Sequence, residues 1–150
     1  MTPLPGLGWK RKFMEKLQVL ETCLYARDLE AAEQFYAGVL GLRPFSRNPG
    51  RHVFFRCGDA VFLIFNPEAT MQAPQPGASL LIPPHGCHGS GHVAFAVPAD
   101  DLPGWRTQLK DAGIPIESEV DWPGGGHSIY FRDPAGNCIE LATPEIWAGR

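Results

Sequence analysis

Little in this sequence could serve as a covalent or ionic staple. Its 150 residues include only four cysteines, Cys23, Cys57, Cys87 and Cys138, with no Cys-x-x-Cys pairing. That speaks against a disulfide scaffold and a zinc ribbon, and reduced thiols are expected. His85, Cys87 and His88 have metal-binding chemistry but lie in one loop-like stretch without a second half-site, so they read as an ordinary loop. No apolar run approaches the ~20 residues a membrane helix requires. The segment from Met1 to Lys16 is basic without the apolar stretch of a secretory signal, which makes the cytoplasm the expected location. A formal charge of -3 gives no electrostatic footprint for nucleic acid or an anionic membrane, and neither is expected as a partner. Residues 1–16, with Pro3, Pro5, Gly6 and Gly8, read as a flexible arm in which Met14 is an alternative start.

What is present is a repeat. Leu17 to Tyr25 alternates like a strand and runs into Asp28, a helix N-cap. From Leu29 onward Ala32, Phe35, Tyr36, Val39 and Leu40 form one helical stripe, ended by Gly41. Three β-rich runs follow, Leu42 to Phe45, His52 to Cys57 and Val61 to Phe65, separated by Asn48-Pro49-Gly50 and Gly58-Asp59 turns. Asn66 to Gly91 is rich in proline and glycine and reads as a connector, with Ser79 to Ile82 patterned as a short strand.

The order then restarts. Gly91 to Val97 reads as a strand, and Asp101 caps a helix with Pro103 in its first turn. Trp105, Leu109 and Ala112 face inward before Gly113 stops it. Ile114 to Glu119, His127 to Arg132 and Cys138 to Thr143 supply three more strands. The pattern predicts an α+β fold of two tandem βαβββ modules, about 17–67 and 91–144. A connector over 68–90 joins them within one domain spanning 17–150. Each sheet taken alone leaves a face uncovered, so the modules are expected to pair, within a chain or between chains.

Strand parity selects the candidate site. If Val93, Phe95 and Val97 face the helix, His92, Ala94 and Ala96 face the open side. By the same alternation Glu140 lies opposite in sense to Ile139 and Leu141, and Glu21 to Leu20 and Thr22. A carboxylate on such a face is costly unless paired, protonated or bound to a cation, and three such groups suit a divalent metal. Spacing alone leaves a second reading open, in which both glutamates face solvent and His92 is a satisfied core residue. Tyr130 and Ser128 share the open face of their strand, and His127 follows Gly124, Gly125 and Gly126 at what reads as a cavity rim.

Gly91-His92-Val93-Ala94-Phe95 and the run from Tyr130-Phe131-Arg132-Asp133-Pro134-Ala135-Gly136-Asn137 to Cys138-Ile139-Glu140-Leu141 resemble signatures of the vicinal oxygen chelate superfamily, the glyoxalase, bleomycin-resistance and extradiol-dioxygenase group. Asp28-Leu29, Phe35-Tyr36 and Leu40-Gly41-Leu42 resemble its first-module helix, so the likeness extends from Leu17 to Pro144. The resemblance implies mixed sheets curled into a half-barrel around a cavity, a homodimer, and metal ligands at Glu21, His92 and Glu140. A fourth family position falls on Leu63, which cannot bind metal. The expected cofactor is therefore a divalent cation, Mn, Fe, Zn, Ni or Mg, in a three-donor oxygen-rich set.

The resemblance also implies a metal-dependent lyase, isomerase, dioxygenase or transferase that chelates a small oxygenated substrate. Glu140 and Tyr130 are its catalytic candidates, and Tyr130, His127, Phe54 and Trp122 its substrate contacts. The competing reading is a bleomycin-resistance-type protein that sequesters a drug or metabolite without catalysis.

Overall fold

The computed structural model describes residues 16–149. In the first module, strand β1 (Glu21–Tyr25) leads to helix α1 (Leu29–Glu33), whose first turn is capped by Asp28 accepting from the Ala31 amide. The helix widens into a π-helical segment, Gln34–Val39, before β2 (Arg43–Asn48), β3 (His52–Cys57) and β4 (Ala60–Phe65). After the short helix α2 (Pro67–Thr70), the second module repeats the order: β5 (His92–Ala96), α3 (Leu102–Asp111), β6 (Ser118–Asp121), β7 (His127–Arg132) and β8 (Cys138–Ala142). Each module is an open four-stranded mixed sheet, ordered β1-β4-β3-β2 and β5-β8-β7-β6. In both sheets the first strand pairs in parallel with the last, and the other pairings are antiparallel.

Alternation decides which face is buried. Leu24, Val53, Phe55, Phe62 and Ile64 from the first sheet, and Ile129, Phe131, Ile139 and Leu141 from the second, join Phe35, Tyr36 and Leu109 of the helices in one core. Phe35 lies against Phe131, and Phe62 meets Phe95 edge-on. The two modules thus share a single interior on their helix sides, and their opposite faces point outward.

A buried polar knot locks the modules together. Asp133 accepts from the Tyr36 hydroxyl at 2.6 Å, from the Asn137 side chain at 2.9 Å, and from the Ala135 and Asn137 amides. Asn137 in turn accepts from the Gly91 amide at 2.8 Å and donates to the Tyr25 carbonyl at 3.1 Å. One loop therefore fixes the end of β1 and the entry to β5. Its groups are mutually satisfied, the condition under which buried polarity specifies a fold instead of weakening it. Burial and the adjacent Asp133 carboxylate push the Tyr36 hydroxyl far up, so it stays a donor. Gly91 allows this close approach, because a Cβ there would lie 2.7 Å from the Leu24 side chain.

Several local expectations need correction. β1 starts at Glu21, and Leu17, Val19 and Leu20 are exposed. β6 starts at Ser118 instead of Ile114, because Ile114 forms the helix-ending bond to Leu109. Asp101 makes no side-chain cap, since a 3-10 turn over Ala99–Asp101 starts the helix for it, and Ala112 is exposed while Leu102 is buried. Ser79 to Ile82 pairs with no strand, and the connector instead contains α2. The expected arm falls almost wholly outside the described residues, as does Met14.

Candidate functional site

On the open face of the second sheet, His92 and Glu140 come together. His92 is the first residue of β5 and Glu140 the middle of β8, and the parallel pairing of His92 with Cys138 sets their side chains one register step apart. The His92 Nε2 lies 3.1 Å from Glu140 Oε2. Its Nδ1 is 2.9 Å from the Cys138 carbonyl oxygen. A carbonyl can only accept, so Nδ1 carries the hydrogen, and Nε2 of the neutral ring presents a lone pair to the carboxylate. Two acceptors at that distance need a positive charge between them, either a proton or a cation.

The surroundings hold the carboxylate still. Glu140 is only 5% exposed although it is ionisable, and its Oε1 accepts from Ser128 Oγ at 2.5 Å. Trp122 Nε1 donates to the same Ser128 oxygen at 2.9 Å. Tyr130 stands directly opposite Glu140 across the β7–β8 pair, and its ring stacks near His92 with centroids 6.4 Å apart. Burial, followed by the Glu140 carboxylate, raises the Tyr130 pKa, so its hydroxyl is kept as a donor. The donor set fits a divalent cation. His92 and Glu140 would be two of its ligands, and a hydrogen-bonded outer layer of Ser128, Trp122 and the Cys138 carbonyl orients both groups.

Glu21 lies on the open face of the other sheet, opposite Val61. It does not join the pair: among the described residues, no group of three or more His, Cys, Asp or Glu side chains is placed to hold a metal. Around Glu21 lies a cavity of about 690 Å³ lined by Leu63, Phe54, Phe65 and Tyr25 and roofed by Ile82 to His85 of the connector. Phe54 stacks on His52 at 3.8 Å and meets Phe65 edge-on. The Tyr25 hydroxyl and His85 Nδ1 are 2.7 Å apart. Cys23, Cys57, Cys87 and Cys138 are all free thiols.

The candidate contacts separate accordingly. Tyr130 and Trp122 belong to the Glu140 network, and Phe54 belongs to the first module's cavity. His127 shares the helix side of β7 with Ile129 and Phe131, and its ring is held by Asp121 at 2.7 Å and Glu119 at 3.0 Å. That corrects its expected place at a cavity rim; the alternation with Ile129 and Phe131 was the signal for it. Sequence reasoning missed His52, and it missed His85 as a cavity wall. No local pattern reports the bond from His85 to Tyr25, 60 positions away.

The comparisons bear on family and fold. Over 57 residues the chain is 37% identical to the metallothiol transferase FosB of Bacillus licheniformis, a match covering 37% of each protein. Over 130 residues it is 34% identical to biphenyl-2,3-diol 1,2-dioxygenase 3 of Rhodococcus globerulus, covering 81% of this chain and 63% of that enzyme. The chain thus spans less than two thirds of the length of either relative. The crystal structure of lactoylglutathione lyase from Agrobacterium tumefaciens superposes with a TM-score of 0.83 at 38% identity, covering 90% of this chain and 99% of that one. These relatives are named as a transferase, a dioxygenase and a lyase. With residues 18–141 matching the family model, the chain belongs to the Glyoxalase/Bleomycin resistance protein/Dioxygenase superfamily.

Proposed function

We propose that this protein is a metal-dependent enzyme acting on a small oxygenated substrate. In this reading His92 and Glu140 of one subunit and Glu21 of the partner subunit form the donor set of a homodimer. The supporting observation is the His92–Glu140 pair, 3.1 Å apart on an uncovered sheet face, with Glu21 at the corresponding place on the other uncovered face. A two-fold axis that brings unlike open faces together covers both and makes two equivalent centres.

A divalent cation held there would supply Lewis-acid polarisation of two neighbouring substrate oxygens. Mn, Fe, Zn, Ni and Mg all suit an oxygen-rich set with one imidazole. The chain's own groups do the rest. Glu140 would accept a proton from substrate when its hold on the cation loosens, with its orientation kept by the Ser128 bond, itself held by Trp122. Tyr130 donates a hydrogen bond to a substrate oxygen on the same face and limits access of water to it. Leu63 at the fourth family position leaves Glu21, His92 and Glu140 as a three-donor set in this reading. Binding without catalysis is the alternative, and the apolar cavity of the first module is the feature that favours it.

Elemental analysis of full-length protein purified without tag or chelator tests the reading, combined with sedimentation to establish the dimer. Near-stoichiometric divalent metal is expected, lost in His92→Ala and Glu140→Gln and weakened in Glu21→Gln. Protein that remains empty after reconstitution would refute it and leave sequestration as the function.

A further inference from the structure

The first module's cavity has a polar end that a metal centre would not use. Arg51, in the turn before β3, lines it, and the Arg51 Nη1 donates to the Ala69 carbonyl at 3.3 Å. Arg27, Arg47, Arg106 and Arg132 each meet a glutamate, whereas among the described residues Arg51, like Arg43 and Arg56, has no carboxylate partner, and of these three only Arg51 lines the cavity. Burial, then the charge of Arg51, lowers the proton affinity of His52, which stacks on Phe54, so Arg51 is the permanent cation among the lining residues. Among the described residues the His52 Nδ1 is buried without a hydrogen-bond partner.

Register gives the spacing. Glu21 stands opposite Val61, while the Arg51 carbonyl accepts from the Asn66 amide, five residues further along. At ~3.3 Å per residue the two ends of the cavity are ~16 Å apart along the strands. Between them lie Leu63, Phe54 and Phe65, under a connector anchored by the His85 amide to the Thr70 carbonyl at 3.0 Å.

We infer that the ligand of this cavity is elongated, with an aromatic body across Phe54, Leu63 and Phe65, an anionic group such as a carboxylate at Arg51, and its vicinal oxygens at the Glu21 end. The assignment of the oxygen end rests on the metal centre proposed above; the anionic end does not. A three-carbon hydroxyketone is too short to span these groups, whereas a fused-ring acid places its charge close to the guanidinium.

The probe is 6,7-dihydroxy-2-naphthoate against its methyl ester, titrated by ligand fluorescence into full-length protein, both metal-free and loaded with Mn²⁺. The acid is expected to bind about tenfold tighter than the ester, the effect of one charge-assisted contact. Arg51→Gln should erase that preference, Arg51→Lys should keep part of it, and Phe54→Ala should weaken both ligands. Thermal unfolding of each variant separates loss of contact from loss of fold. Equal binding of acid and ester by wild-type protein, no binding of either, or a folded Arg51→Gln variant that retains the preference would overturn the inference. An acid preference that depends on Arg51 but gains nothing from Mn²⁺ upholds the anionic end and refutes the metal reading. Tightening by Mn²⁺ without acid preference does the reverse.

Discussion

The two modules have the same strand order and the same parity, yet their open faces differ in chemistry. Tyr130 opposes Glu140 where Phe54 opposes Leu63, and Ser128 opposes Ala142 where His52 opposes Phe65. On the second module these positions form a hydrogen-bonded polar cluster around a buried carboxylate; on the first they form an aromatic and aliphatic wall. The backbone fixes only which residues share a face. The difference arises because a carboxylate needs Ser128 and Trp122 to be tolerated at 5% exposure, while Leu63 needs only apolar neighbours. In the function proposed above, one copy of the repeat would polarise a ligand and the other would hold it.

The largest test of the comparison removes what joins its two halves. Asp133→Ala leaves the buried Tyr36 hydroxyl and the Asn137 amide without their acceptor, and a loss of ~3 kcal/mol is expected in denaturant unfolding. A loss below ~1 kcal/mol would show that packing alone joins the modules. A subtler change makes the first module imitate the second. Leu63→Glu places a carboxylate among Phe54, Phe65 and Tyr25, and metal-free protein should lose ~2 kcal/mol. Mn²⁺ should restore more of that stability than it adds to wild type, because a fourth donor strengthens the proposed centre; melting temperatures with and without metal measure it.

The smallest effect concerns the helix side of the second module, which has an ionic cluster of its own. Hydrogen bonds to Glu119 and then Asp121 raise the His127 pKa above its ordinary 6.5, and hydrogen bonding to His127, then Arg106, lowers Glu119 below 4.5. A raised histidine contributes fully below 6.5 and loses its contribution as pH rises through the folded value. A lowered carboxylate contributes above 4.5 and loses its contribution as pH falls through the folded value. The pair therefore stabilises most between those two ordinary values, by less than ~1 kcal/mol at this partly exposed position. His127→Gln should flatten the stability profile above pH 4.5, which urea unfolding across pH would detect.

Alternation made much of this legible in the sequence. It assigned Glu21, His92, Glu140, Tyr130 and Ser128 to open faces because each alternates along its strand with residues of the opposite, helix-side face, such as Leu24, Phe95, Ile129, Phe131, Ile139 and Leu141. Helix stops at Gly41 and Gly113 were legible because both glycines adopt positive φ, 72° and 70°. What could not be read were contacts between distant residues of similar polarity. Nothing near Tyr36 announces Asp133, 97 positions on, and no residue-level signal announces the widened turn over Gln34–Val39. The separation of Glu21 from His92 within one chain was equally invisible, because parity gives the face of a residue and not the face that will meet it.

The loop from Asp133 to Asn137 has a further consequence for recognising such proteins. Its side chains are occupied in closing the seam between the modules, and none of them reaches the His92–Glu140 pair through a hydrogen bond shown here. A chain could keep this motif intact after losing every group that handles a substrate, and it would still be matched. The motif therefore counts folds, and a search for catalysts has to be keyed to the open face instead.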